Sequence, residues 1–283
     1  HRIETQFAGR RLVLETGRLA KQAAGSAWVQ FGDTVVLAAI TLSPNQSTLP
    51  FFPLTVDYRE KTYAAGKIPG GFLKREGRPS DKEILASRVI DRSIRPLFPE
   101  GFKNEVQVFV TVLSADQEND ADVLGVVAAS LALSCSPVPW NGPIAGVRVG
   151  RVEGNWILNP TFQQLEFSSL DITVCGSADS ILMVEGGALQ ISEAEALEAL
   201  KVAQKGIKEI LGHAEKISSK VKAEKIEWKK DEIDPALVKR VTDLAEKEVA
   251  KAINAKDKHA RAANVKALKV KVQEACAEEF PEA

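Results

Sequence analysis

The chain has 283 residues, 45% of them apolar, which is enough for a substantial buried core and exceeds the usual size of one domain. Thirteen prolines and nineteen glycines are ordinary usage, and no apolar run reaches the roughly 18 uncharged residues of a membrane helix, so a soluble globular chain is expected and a disordered or fibrous one excluded. Lysine and arginine total 37 against 38 aspartate and glutamate, and the net charge of −1 by itself names no charged partner.

The first 60 residues read as strands. Segments 27–30 and 34–41 flank Phe31-Gly32-Asp33, whose Gly-Asp pair suits a hairpin turn, and 54–58 is a further short strand. From Tyr63 to Pro79, glycines and prolines interrupt any period and predict a long loop, a feature that is functional or disordered in a compact domain. Ser80 with Glu83 three residues on predicts a capping box that opens a helix, which Pro96 ends. A strand at 105–113, an apolar Ala-rich helix at 123–133 and a hairpin of 144–152 with 156–158 through Glu153-Gly154-Asn155 follow. Segments 170–174 and 181–184 read as buried strands, and Ser192 with Glu195 caps a helix running to about Leu211. Composition shifts near residue 213. A charged connector leads to a helical pattern from Pro235 to about Glu279, so the expected architecture is an α+β core over 1–213, a connector over 214–234 and a small all-α domain over 235–283.

Charge is polarised along the chain. Residues 59–103 carry 11 basic and 6 acidic groups, whereas 104–200 carry 2 basic and 13 acidic ones. An anionic ligand on the basic stretch is one reading, and neutralisation between interleaved segments is the other. At about 100° per residue, Arg88, Arg92 and Arg95 share one face of the helix from Ser80, opposite a stripe of Ala86, Val89, Ile90, Ile94 and Leu97. Arginine forks suit phosphate, but the same face also suits internal pairing with Asp81, Asp91 or other acids. In the preceding loop, Phe72-Leu73-Lys74-Arg75 sets an aromatic ring beside two cations, with Arg78 close behind, a combination suited to single-stranded nucleic acid unless Phe72 is a core anchor. Cys135, Cys175 and Cys276 have no C-x-x-C spacing and an odd count, so neither a disulfide framework nor a zinc site is indicated and a reducing compartment fits. The acidic run Asp116, Glu118, Asp120, Asp122 reads as a solvated capping loop before the helix at 123, with a metal site as the less favoured alternative.

At Gly70-Gly71-Phe72-Leu73-Lys74-Arg75-Glu76-Gly77-Arg78-Pro79-Ser80 and Ile90-Asp91-Arg92-Ser93-Ile94-Arg95-Pro96-Leu97-Phe98-Pro99 the chain resembles the polynucleotide phosphorylase family of phosphorolytic exoribonucleases. Leu14-Glu15-Thr16-Gly17, Asn141-Gly142-Pro143-Ile144 and Leu158-Asn159-Pro160-Thr161 extend the resemblance over most of residues 10–212. It implies an RNase PH-like first core followed by the family's helical domain, with a second core and further RNA-binding modules expected outside these residues. The implied activity is 3′-to-5′ phosphorolysis of single-stranded RNA to nucleoside diphosphates by a homotrimeric ring, in the cytoplasm or alternatively the mitochondrial matrix, with RNA-degradation machinery as further partners and no membrane.

The family's constriction loop, usually Phe-Phe-Arg-Arg, maps onto Phe72, Leu73, Lys74 and Arg75, where Leu73 replaces an aromatic and Lys74 lacks the bidentate fork. With Arg78, Arg88, Arg92 and Arg95 these residues form the implied RNA path. The family's second core binds inorganic phosphate at a Gly-Ser-rich turn and Mg²⁺ through an Asp-x5-Asp-x-Lys pattern. Here the corresponding turn is Asn119-Asp120-Ala121-Asp122, with carboxylates where phosphate would sit, and the metal pattern reads Leu165, Asp171, Thr173. The resemblance thus implies no catalytic residue in this core, which binds RNA and shapes the ring while phosphate and Mg²⁺ act elsewhere. The alternative is a self-standing RNA-binding or assembly module without catalysis.

Overall fold

A computed structural model describes residues 1–70, 76–228, 234–277 and 279–280, which fall into two compact units, His1–Lys229 and Lys230–Ala283. In the first unit β1 (Arg2–Phe7), β2 (Arg10–Glu15), β3 (Gly25–Phe31) and β4 (Thr34–Gln46) form an antiparallel meander. Beyond it, β5 (Leu54–Glu60) pairs in parallel with β6 (Asn104–Ser114), and β6 pairs antiparallel with β4, giving the order β1-β2-β3-β4-β6-β5. A parallel neighbour requires a crossover, which α1 (Asp81–Ile94) supplies. Strand β6 shows why one face is core: Val106, Val108, Val110 and Val112 are buried in strict alternation with the more exposed Glu105, Gln107, Phe109 and Thr111.

Helix α2 (Asp122–Ser134) is apolar all round, and every residue from Val123 to Leu133 is buried. Such a helix needs cover on all sides. It packs on β3 and β4 and, across from them, on β7 (Ala145–Val152) of a second sheet. The approach to β3 is close enough that a Cβ on Gly25 would lie 2.4 Å from the Ala132 carbonyl oxygen. The second sheet adds β8 (Asn155–Leu158), β9 (Leu170–Gly176) and β10 (Ile181–Ala188) in the antiparallel order β10-β9-β7-β8. The β7–β8 turn falls at the expected position, with Glu153 and Gly154 at φ 49° and 80°. A short helix, α3 (Phe162–Glu166), leads into β9, and α4 (Glu193–Val221) packs against β7 and β9.

Both expected capping boxes form, at Ser80–Glu83 and Ser192–Glu195. The expected stripe on α1 also forms: Ala86, Val89, Ile90 and Ile94 are buried and Leu97 is half-buried. Trp140 is buried, and its Nε1 donates to the Ile94 carbonyl at 3.2 Å, fixing the C-terminus of α1. All three cysteines are free and buried.

The end of α4 requires correction. The sequence places it near Leu211, but the helix continues to Val221, because Leu211, Ala214 and Ile217 prolong the stripe of Ala203, Ile207 and Ile210 beneath a charged outer face. Nor does the following segment leave the first unit. Lys225 Nζ donates to the carbonyls of Leu133 (3.1 Å) and Ser136 (2.7 Å), where a cation suits the negative end of α2, and Trp228 meets Phe102 edge-on at 6.1 Å. In the second unit, α5 (Pro235–Ile253), N-capped by Asp234, is followed by α6 (Lys258–Ala277). The Lys271–Glu248 ion pair at 2.6 Å spans the two helices.

Candidate functional site

Two features meet at α1. The first is the neck of the long loop. Its outgoing arm is pinned by Glu76, which accepts from Lys61 Nζ at 2.6 Å and from the Thr62 N–H at 2.9 Å. Its junction with the helix is pinned by Glu83, whose two carboxylate oxygens accept from the Ser80 N–H at 2.6 Å and the Glu60 N–H at 2.9 Å. Burial works to raise the Glu83 pKa, but these backbone donors win and hold it below its usual value. Replacing Glu83 with alanine orphans two donors and is expected to lower stability by about 2 kcal/mol in urea unfolding; a loss near zero would mean that the neck is held elsewhere.

Phe72, Leu73, Lys74 and Arg75 lie outside the described residues. Arg78 and Arg88 are exposed and form no ion pair with other described residues. The other two arginines are engaged. Arg92 reaches Glu185 of β10 at 2.5 Å, and Arg95 clamps Asp91 at 2.6 Å while donating to the Leu54 carbonyl at 3.1 Å. The arginine face exists as expected, and its outer end doubles as the fastening of α1 to the start of β5.

The second feature is a cavity of about 400 Å³ under α1, lined by Lys82, Asp120, Asp122, Arg148, Asp171 and Thr173 among others. Arg148 projects from β7 into its centre. Its guanidinium lies 2.6 Å from Asp120, 3.6 Å from Asp122 and 2.9 Å from Asp171. Lys82 adds a second cation, 3.2 Å from Asp120 and 3.1 Å from Glu60. Burial, with Asp120 as a like-charged neighbour, pushes the Asp122 carboxyl up to about 6. Burial also works to raise Asp120, but Lys82 and Arg148 hold it below its usual range.

The expectation of a solvated capping loop therefore holds for only part of the acidic run. Asp116 caps the loop, accepting from the N–H groups of Glu118 (2.9 Å) and Asn119 (2.8 Å), while Asp120 and Asp122 turn inward onto Arg148 because two buried carboxylates need a cation. Asp171 and Thr173, the residues matched to the metal pattern, line the same cavity. The side chains there fit neither group of the phosphorolytic reaction. The Arg148 guanidinium lies among Asp120, Asp122 and Asp171, the last being the one carboxylate of the matched metal pattern, and Asp120 and Asp122 put negative charge at the N-terminus of α2, which disfavours an anion there. Among the described residues no group of three His, Cys, Asp or Glu side chains is placed to hold a metal ion. Arg148 and Lys82 were not singled out in the sequence; the signal was that Arg148 is one of only two cations within the acidic stretch 104–200.

Two models of one family match this architecture in succession: the 3′ exoribonuclease family, domain 1, over residues 8–139, and domain 2 over residues 142–206. The chain belongs to the 3′ exoribonuclease family. Among curated relatives it is 64% identical over 282 residues to the polyribonucleotide nucleotidyltransferase of Gemmatimonas aurantiaca, a match covering 100% of this chain and 38% of that protein. It is 50% identical to the enzymes of the same name from Halalkalibacterium halodurans (274 residues, 97% of this chain and 39% of that protein) and Bacillus subtilis (261 residues, 92% and 37%). The chain thus spans less than two fifths of the length of these relatives. Among the described residues no helix is long and apolar enough to cross a membrane.

Proposed function

We propose that these residues are the first RNase PH-like core and adjoining helical domain of a cytoplasmic, trimeric 3′-to-5′ phosphorolytic exoribonuclease that converts single-stranded RNA to nucleoside diphosphates. This core holds RNA and builds the ring, while inorganic phosphate and Mg²⁺ act in a second core outside these residues. The observation that carries the division of labour is the cavity under α1, in which the Arg148 guanidinium lies against Asp120, Asp122 and Asp171 and Lys82 against Asp120. Relatives named polyribonucleotide nucleotidyltransferase support the reaction class.

In this reading Phe72, Leu73, Lys74 and Arg75 grip the strand, with Arg78 and Arg88 offering guanidiniums that no described residue neutralises. Arg92 joins them when RNA phosphate competes with Glu185. Arg95 borders the path and, through Asp91, keeps α1 in place.

The test is to supply the chain with oligoadenylate, phosphate and Mg²⁺ while measuring both product and binding. RNA is expected to bind without release of nucleoside diphosphates, and robust release would overturn the assignment of an inert core. Substituting Lys74 and Arg75 by alanine removes two phosphate contacts and should flatten the plot of log affinity against log salt by roughly 1.4. An unchanged slope would take the loop out of the RNA path.

A further inference from the structure

Helix α4 presents two faces of opposite character. Ala203, Ile207, Ile210, Ala214 and Ile217 are buried against the core, whereas Lys201, Lys205, Lys208, Lys216, Lys220 and Lys222 are all exposed. Residues 201–222 contain these six lysines and only two acidic residues, Glu209 and Glu215, within a chain whose net charge is −1. Lys208 approaches Asp179 at 4.0 Å, and the other five form no ion pair with described residues. At 1.5 Å per residue, Lys201, Lys205 and Lys208 span about 10 Å along one side of the helix. At their flank, between α4, β8 and α3, lies a cavity of about 700 Å³ whose wall includes Trp156, Leu158, Val202, Lys205 and Glu209. An apolar wall with an aromatic ring beside a row of exposed cations matches a base with its phosphates. Arg10 also lines the cavity, but its guanidinium is engaged with Asn119 and the Asn159 carbonyl and lies over the Phe31 ring, so the lysines supply the free donors.

We propose that the outer face of α4, with this cavity, is a second RNA-binding surface, separate from the arginine face of α1, that takes the phosphates of single-stranded RNA on Lys201, Lys205 and Lys208 and a base against Trp156. Charge complementarity selects the partner: a polyanion with planar apolar groups satisfies both halves of the surface. Glu198, Glu209 and Glu215 border the lysines, which outnumber them six to three.

The test uses the 283-residue chain already carrying Lys74→Ala and Arg75→Ala, so that the two cations at the centre of the loop are removed from the measurement. Affinity for a labelled oligouridylate is measured by fluorescence anisotropy at salt concentrations from about 50 to about 200 mM, before and after adding Lys201→Ala, Lys205→Ala and Lys208→Ala. The three substitutions should lower the slope of log affinity against log salt by about 2, with the thermal unfolding midpoint unchanged because the side chains are exposed. In parallel, 4-thiouridine in the oligonucleotide should crosslink to peptides from β8 or α4. An unchanged slope, crosslinks confined to other elements, or no RNA binding by the doubly substituted parent would each overturn the proposal and leave the lysines to solvation or to a protein partner.

Discussion

Replacing Arg148 with alanine is expected to destabilise the first compact unit by about 3–5 kcal/mol, the range seen when one member of a buried ion-pair network is removed. The guanidinium is only 18% exposed at the side chain, and Asp120 and Asp122 are 9% and 13% exposed, so water screens their charges weakly. Without Arg148, Lys82 alone would face both carboxylates, and its amine contacts only Asp120 and Glu60. Arg148→Lys should recover part of the loss, because a single ammonium cannot reach three carboxylates at once from the middle of β7. The measurement is the urea midpoint at about pH 7 with the m-value held constant. A loss below about 1 kcal/mol would show that the carboxylates reach water and that the cavity is not closed by this residue. The loss should also shrink as pH falls, since protonated carboxylates no longer need the cation.

The same network explains which parts of the architecture were legible in the sequence. Local signals translated directly: the Ser80 and Ser192 capping boxes, the Glu153-Gly154 turn and the α1 stripe each depend on residues within one or two helical turns, and each is where the sequence placed it. The end of α4 misled because charged side chains outnumber apolar ones within residues 214–234, although Ala214 and Ile217 alone suffice to keep the buried stripe in register. Assignment to the 3′ exoribonuclease family rests on the matches over residues 8–139 and 142–206, and the loop and α1 motifs that carry the resemblance lie within the first of them. What could not be read was where the charge goes. Lys82 belongs to the basic stretch and Asp120 to the acidic one, yet they pair at 3.2 Å; Arg92 and Glu185 do the same from opposite stretches at 2.5 Å. Part of the polarisation along the chain is thus cancelled by tertiary contacts between residues 38 and 93 positions apart, and only what survives, including Arg78 and Arg88, is available to a ligand.

Asp122 should give the protein a stability that rises as the solution is acidified over a defined window. Its carboxyl sits at about 6 when folded, against an ordinary value of 3.8. At this site the folded state therefore binds the proton more tightly than the unfolded chain, and the contribution of Asp122 to stability increases as pH drops from about 6 to about 4. The displacement corresponds to roughly 3 kcal/mol at about 1.36 kcal/mol per pH unit, a penalty fully present at about pH 7 and relieved below about pH 4. Asp120 works in the opposite sense and in a different range: its folded value lies below 3.8, so the stabilisation it provides is intact above that point and is lost only under stronger acid. The two carboxylates are thus separable by pH although they share Arg148. Asp122→Asn keeps an oxygen to accept from the Val123 N–H, which Asp122 now contacts at 2.5 Å, while removing the charge that burial disfavours. In urea titrations from about pH 4 to about pH 7, subtracting the curve of the Asp122→Asn variant from that of the parent cancels the titration of groups that do not interact with Asp122. The difference should slope upward toward acid by roughly 3 kcal/mol; a flat difference would mean that Asp122 is as fully ionised in the folded protein as in water, and that Arg148 and Lys82 outweigh its burial.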